Sequence, residues 1–414
     1  MGRKAGFNEG EKSKKGPGIA KKHKESLRPN GLKGKKNLPI VTPIKKGETL
    51  LFQGSTLFRQ RLVLSVLSGK PVKIINIRKS HDKPGLHEYE VSLVRLLDKI
   101  TNGTVVEIYE DGTSIFFQPG LLFGGTIEHD CSLERGIGYY LEALIMLSLF
   151  CKKPLHATLR GVTSNNIDPS VDTCKTSMIG AMKNFIYNDE NLEITIKKRG
   201  LLPNGGGEIF FKCPSVYHLK PVQLEDFGLV KKVRGTAYAL RVAPYRANKV
   251  VEKAKGVMLK YIPDVFITID QRKGIQSGNS PGFGVHLTAE TTKGVIYSAE
   301  KVSNPDEPTT EDIGLEVAQW LCYKIGQGGM VDPSSQAIAL LFMALGPRDV
   351  SKIVLGELTE YAIEFLRNLK TFFKVEFMLD YYKPENSEEE SETQRKVLAS
   401  CMGIGYTNFN KRPV

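Results

Sequence analysis

From Arg59 onward, short runs rich in β-branched and aromatic residues alternate with amphipathic stretches of helical period, the pattern of a layered α/β or α+β architecture. Arg59–Leu67 reads as a helix and Val72–Ile77 as a strand. Tyr89–Ile100 reads as a second helix, with Val91, Val94, Leu97 and Ile100 on one face. The runs Thr104–Tyr109 and Ser114–Gln118 flank the turn Glu110-Asp111-Gly112 and predict a hairpin. The same order then returns: a helix from Tyr139, a strand Leu155–Leu159, a helix Val171–Phe185, and strands Leu192–Lys198 and Glu208–Lys212. A glycine-rich connection lies by each hairpin, Phe123-Gly124-Gly125 and Asn204-Gly205-Gly206-Gly207, so an internal duplication is expected.

Between about 218 and 327 the texture changes. A helix Arg246–Tyr261, a strand Asp264–Asp270, a Gly/Ser/Pro-dense loop Gly274–Gly284, strands Val285–Ala289 and Val295–Ala299, and a helix Thr310–Ile325 with acids at its positive end predict an inserted small domain. A helix-rich unit Ser334–Phe377 follows, and the acidic stretch Glu385–Glu392 reads as a solvated loop. The domain expectation is a disordered basic extension at 1–47, a large domain formed by 49–217 and 328–414, and an inserted domain at 218–327.

Composition changes this picture in two places. The longest apolar run, Tyr139–Cys151, is interrupted by Glu142 and is shorter than the ~18 residues a membrane span needs, so it predicts a buried helix in a chain with no membrane role. The start has lysines and glycines in place of an apolar signal stretch, so no secretory signal is expected. Charge is the second. Residues 1–47 hold 14 Lys/Arg against 3 Glu, and the remaining 367 hold 44 Lys/Arg against 42 Asp/Glu. A basic, Gly/Pro/Asn-rich segment cannot bury enough surface to offset its ordering entropy. Its lysine runs suit nuclear import or phosphate-backbone contact, or a merely solubilising extension. Six scattered cysteines without a Cys-x-x-Cys pair argue against a disulfide framework and a zinc site, and point to a reducing compartment.

Several signatures then occur in order: Leu67-Ser68-Gly69-Lys70-Pro71, Ile77-Arg78 with Lys83-Pro84-Gly85-Leu86, Thr101-Asn102-Gly103, Gln118-Pro119-Gly120 with Gly124-Gly125, Arg199-Gly200 with Pro203-Asn204-Gly205-Gly206-Gly207-Glu208, and Ser280-Pro281-Gly282-Phe283-Gly284. Together they resemble the RNA 3′-terminal phosphate cyclase family over 50–414, and Glu128-His129-Asp130-Cys131 resembles its eukaryotic cyclase-like branch. The resemblance implies units of two helices on a four-stranded sheet, repeated in a large domain that a small α/β domain interrupts. For true cyclases it implies adenylylation of a histidine with ATP and a divalent metal, transfer of AMP to an RNA 3′-phosphate, and closure of a 2′,3′-cyclic phosphate. That chemistry needs a partly unprotonated imidazole.

The histidines are His23, His81, His87, His129, His156, His218 and His286, none within the last 128 residues. By the resemblance, the position of the family's histidine is Tyr361, a phenol with an ordinary pKa of about 10. Phe52 stands at a metal-linked glutamate, His81 at a second arginine, Tyr89-Glu90 at a Gln-His pair and Ser335-Gln336 at an Asp-Gln pair. No cyclisation, cofactor or metal is therefore expected. Arg59, Arg78, Gly205, Gly206, Gly207, Arg241 and Gln336 remain as candidates for binding an anion or RNA, since glycine-turn amides and arginine forks hold phosphate without reacting; the plainer alternative is tight turns and internal ion pairs.

The branch implies a non-catalytic subunit of the small-subunit processome, needed for pre-rRNA processing and 40S ribosome biogenesis. Its partners would be a large nucleolar GTPase and pre-rRNA or a small nucleolar ribonucleoprotein, in the nucleus and nucleolus. The alternative is an endonuclease of precursor ribosomal RNA using Arg367 and Lys370. Those residues also fit the polar face of a helix whose apolar side draws on Ile363, Phe365, Leu366 and Leu369.

Overall fold

The computed structural model describes residues 48–109, 111–303, 311–382 and 396–408. The basic extension 1–47, Glu110 of the first turn, Thr310 and the acidic stretch Glu385–Glu392 lie outside the described residues.

In the first unit the alternating runs become β1 (Leu50–Gln53), α1 (Phe58–Ser68), β2 (Val72–Ile75), α2 (Glu88–Ile100), the short β3 (Thr101–Asn102), β4 (Val105–Ile108), β5 (Ile115–Gln118) and the short β6 (Leu121–Leu122). The sheet order is β1-β2-β5-β4, with β1 and β2 parallel and the rest antiparallel. β2 stops at Ile75, short of the expected Ile77, because Asn76 and Arg78 take left-handed φ angles of 56° and 48°, a conformation incompatible with a strand. At α2 the Glu90 carboxylate accepts the His87 backbone N–H at 2.9 Å and caps the helix start.

The second unit repeats the plan with β7 (Gly124–Asp130), α3 (Ile137–Ser148), β8 (Lys153–Gly161), α4 (Val171–Thr173), α5 (Ile179–Lys183), β9 (Glu193–Lys198) and β10 (Gly207–Cys213), in the order β7-β8-β10-β9. All twelve residues of α3 are buried, so the apolar run forms a core helix. The expected helix Val171–Phe185 contains a π-helical turn at Cys174–Met178 between α4 and α5. Glycine-rich Gly124-Gly125 opens a full strand, β7, where only a connection was expected. Gly124 at φ 72° could not carry a Cβ, which would sit 2.4 Å from the Lys153 carbonyl of the neighbouring strand.

The third unit starts with β11 (Gln223–Leu224) and is at once interrupted. β12 (Val230–Leu240), α6 (Pro244–Met258), β13 (Val265–Arg272), β14 (Gly282–Thr291), β15 (Ile296–Val302) and α7 (Glu311–Gln327) form a separate sheet of order β13-β12-β14-β15. The unit then resumes with α8 (Gln336–Leu345), β16 (Val350–Leu355), α9 (Glu360–Phe373), β17 (Met378–Tyr381) and β18 (Val397–Met402), and its sheet is β11-β16-β18-β17. The stretch Ser334–Phe377 therefore holds a central strand, β16, which a helix-rich reading missed. β11 pairs with β16, Gln223 opposite Lys352, so the third sheet takes its first strand from before the insertion.

Helices of the three units meet one another. α1 touches α3 and α9, and α8 touches α5 and α9. Their apolar stripes join in one buried core with the sheets' inner faces. The inserted sheet is tied to the second unit by Arg199, whose guanidinium forks onto Asp172 (2.6 and 2.9 Å) and reaches Asp270 of β13 (2.9 Å). Ser177 of the π-helical turn donates to Ser298 of β15 at 2.9 Å.

Candidate functional site

α1, α3 and α9 bring the matched position Tyr361 beside Arg59. Arg59 is buried. It donates to the Tyr139 carbonyl at 2.8 Å and to Glu142 at 2.5 Å, and its guanidinium lies 4.6 Å above the Tyr139 ring. The Tyr361 hydroxyl donates to the other oxygen of Glu142 at 2.5 Å, and the Gln60 amide stands 2.6 Å from that hydroxyl. The Glu142 that broke the apolar run is thus the acid holding both groups, in a helix otherwise entirely sunk in the core.

Burial alone would lower the pKa of Arg59, but the Glu142 carboxylate more than reverses this and keeps the guanidinium charged. Burial, then the same carboxylate, push the Tyr361 phenol well above its ordinary value. Tyr361 is therefore a neutral hydrogen-bond donor across the physiological range, with no lone pair activated for attack on a phosphorus.

The arrangement extends outward as alternating arginines and tyrosines. Arg78 forks onto Glu90 at 2.6 and 2.8 Å and donates to the Tyr89 hydroxyl at 3.2 Å. Tyr89 meets Tyr139 edge to face at 5.4 Å. Arg135 lies over both rings, 5.1 and 4.6 Å away, and is clamped by Asp168. Asp168 is buried, which opposes its charge, yet the hydrogen bonds from Arg135 hold its carboxyl below the usual range. Three guanidiniums thus face three carboxylates, Glu142, Glu90 and Asp168. Arg135, Asp168, Tyr139 and Gln60 were missed by sequence reasoning. Only Glu142 carried a signal, an acid alone in an apolar helix.

Gln336, at the start of α8, belongs to the same neighbourhood. Its amide donates to the Glu357 carbonyl at 2.8 Å and its oxygen accepts from Thr359 N–H at 3.1 Å, fixing the residue that caps α9. Phe52 stacks on Phe372 of α9 at 5.6 Å, with the Arg61 guanidinium 4.6 Å over its ring. His81 is exposed.

Gly205, Gly206, Gly207 and Arg241 lie elsewhere, together. Gly205 and Gly206 have φ angles of 55° and 80°. Their turn grips the loop before β14: Asn279 N–H donates to the Gly205 carbonyl at 2.9 Å, and a Cβ on Gly206 would come within 2.8 Å of Asn279. Arg241, itself at φ 53°, donates through Nε to the Ser277 hydroxyl (3.2 Å) and the Gly278 carbonyl (2.8 Å) of that loop.

Arg367 and Lys370 occupy the exposed side of α9, Arg367 paired with Glu364 and Lys370 2.9 Å from Glu376. Asn368 between them is buried. The helix buries Ala362, Phe365, Asn368, Leu369 and Phe372, while Ile363, expected on the apolar side, is exposed and Leu366 half-buried. The 3.6-residue period accounts for both: 362, 365, 369 and 372 share a stripe that leaves 363, 367 and 370 outside.

Comparison with known proteins fits this architecture. The family model described as "RNA 3'-terminal phosphate cyclase" matches residues 50–379. The "Probable RNA 3'-terminal phosphate cyclase-like protein" of Drosophila melanogaster is 50% identical over 380 residues, covering 89% of this chain and 99% of that protein. The "RNA 3'-terminal phosphate cyclase-like protein" of Homo sapiens is 50% identical over 370 residues, 88% of this chain and 98% of that protein. The "rRNA processing protein rcl1" of Schizosaccharomyces pombe is 43% identical over 369 residues, 88% of this chain and 99% of that protein. Three sheets of one strand order, an insertion within the third and matches of this length lead to one conclusion: the chain belongs to the RNA 3′-terminal phosphate cyclase family.

Proposed function

We propose that this chain takes part in ribosomal RNA processing as a non-catalytic, cyclase-like subunit of the small-subunit processome, in the nucleolus, partnered by a large nucleolar GTPase and pre-rRNA. The name of the fission-yeast relative supports the processing role. The observation that carries the non-catalytic reading is the pairing of Arg59 and Tyr361 on one buried acid, Glu142. An entering triphosphate would have to displace carboxylates from Arg59, Arg78 and Arg135, and leaving one such buried partner bare costs about 3–5 kcal/mol. The basic segment 1–47 would add salt-dependent affinity for RNA.

Two measurements test this. Depletion of the protein should accumulate unprocessed small-subunit precursors on a blot, and normal precursor levels would remove the processing role. The purified chain incubated with magnesium and ATP labelled on its α-phosphate should acquire no covalent label; a labelled band would overturn the non-catalytic reading. Cleavage of a precursor transcript that disappears when Arg367 and Lys370 are replaced, with folding intact, would install the endonuclease reading in its stead.

A further inference from the structure

The near-neutral charge of residues 48–414 conceals a strongly uneven distribution. The segment 230–273, which is β12, α6 and β13, holds 11 Lys/Arg against 3 Asp/Glu. β12 and β13 are parallel, and α6 is the connection between them. The carboxyl end of such a strand pair, with the helix start beside it, is the edge at which α/β sheets accept ligands.

Leu240, the last residue of β12, lies opposite Arg272, the last of β13. The chain therefore delivers Arg241 and Lys273 side by side, with Tyr245 and Arg246 in the first turn of α6. The cap residue of that helix, Ala243, offers its amides no side chain. Among the described residues, Arg241, Arg246 and Lys273 form no ion pair. Among the same described residues the Nη atoms of Arg241 find no hydrogen bond, and the Arg246 guanidinium lies over the Phe283 ring at 5.6 Å. Tyr245 is 60% exposed, and the Lys249 ammonium lies 5.7 Å from its ring centroid, adding a further cation beside it.

This corner is also held firm from behind. Gly278 N–H donates to the Arg199 carbonyl at 2.6 Å, Asn279 N–H to the Gly205 carbonyl at 2.9 Å, and Asn204 N–H to the Ser280 hydroxyl at 2.9 Å. The glycine turn of the second unit thus anchors the loop that orients Arg241. Uncompensated cations on a braced backbone, next to an exposed aromatic ring, match a chain of phosphates with accessible base faces. A duplex hides those faces, and an acidic peptide would leave the ring unused.

We propose that the corner formed by Arg241, Tyr245, Arg246 and Lys273 binds the phosphodiester backbone of single-stranded RNA and stacks one base on Tyr245. The assignment rests on the reading that the chain meets RNA and adds where and how. Its test uses the full chain and a 12-nucleotide RNA carrying 4-thiouridine: photo-crosslinking with peptide mapping, and anisotropy titrations over a range of KCl concentrations.

Crosslinks are expected in peptides containing Tyr245 and Lys273. Arg246→Glu with Lys273→Glu should weaken binding at low salt and reduce the logarithmic salt slope by about 1.4, at about 0.7 for each phosphate of a single strand that is no longer neutralised. Tyr245→Ala should weaken binding about tenfold with the slope unchanged. All three side chains are exposed, and an unaltered thermal unfolding midpoint shows that each variant is folded. Crosslinks confined to residues 1–47, with both variants binding like the parent, would overturn the corner and leave the RNA reading standing. Absence of RNA binding would overturn both. Displacement of the RNA by poly-glutamate at equal charge, or duplex bound as tightly as single strand, would mark a general anion surface and overturn the stacking proposal.

Discussion

Arg59 and Arg246 carry the same guanidinium into opposite circumstances. Arg59 is buried and its charge is answered by Glu142. Around it Arg78 and Arg135 are answered by Glu90 and Asp168. Arg246 stands at the open start of α6, beside Arg241 and Lys273, and among the described residues none of the three has a carboxylate partner. Counting cations would rank the first region as the anion site. The chain's own acids already occupy those arginines, and what decides is the charge left available to a newcomer.

The sharpest way to break this contrast is to remove the acid from the closed side. Glu142→Ala leaves Arg59 charged and unpartnered in the core and should destabilise the protein by about 3–5 kcal/mol in denaturant titrations. A loss below about 1 kcal/mol would mean that water already reaches the cluster, and the two regions would no longer differ in kind.

Acid should expose the same intolerance of bare charge nearby. His129 is buried against the Ser92 hydroxyl at 2.9 Å, and burial first, then Lys99, bring its pKa down to about 4. Unfolded, the imidazole takes up its proton near the ordinary pH of about 6.5. Between those values the unfolded chain binds more protons. This part of the stability is complete above pH ~6.5 and is lost as pH falls toward 4, at up to ~1.4 kcal/mol per pH unit for one proton. Unfolding measured from pH 7 to 4.5 should show that slope, and His129→Asn should flatten it; an unchanged slope assigns the effect to other groups.

Tyr361→Phe removes one donor from Glu142 and should cost about 1 kcal/mol, seen as a small drop in the denaturation midpoint. A gain in stability would show that the phenol is strained, which would favour a retained role for the hydroxyl.

The smallest effect sharpens the contrast from the other side. Arg246→Ala and Lys273→Ala, together, should leave stability within about 0.5 kcal/mol of the parent, because neither side chain holds the fold. A larger loss in thermal unfolding would make the open corner structural, like its counterpart.

Much of this was legible in the residues. The helices around Val94, Leu144 and Val250, the hairpins and their order follow from periodicity and turn chemistry. β7 and β16 were not legible for opposite reasons. β7 opens on two glycines, which read as a connection, and its pairing with β8 depends on close backbone approach at Gly124. β16 is six residues, Val350–Leu355, between two strongly helical stretches, and its partner β11 is only two residues long. The closed cluster joins positions 59, 142 and 361, and no local signal links residues so far apart. The resemblance aligned Tyr361 without showing that Glu142 holds it. The open corner was hidden by averaging, since an excess of 8 positive charges in 230–273 vanishes into a body whose other segments are acidic.

The split third sheet has a consequence for how the chain is made. Gln223 waits for Lys352, 129 positions downstream, before its strand gains a neighbour. During synthesis the two earlier units and the interposed sheet can all emerge and condense while β11 dangles unpaired at their junction. Loop-closure entropy grows only slowly with such a separation. A preformed interposed body that already holds its two ends near each other shortens the search further. The insertion then serves as a splint, and the last fifth of the polypeptide is the piece that locks the assembly.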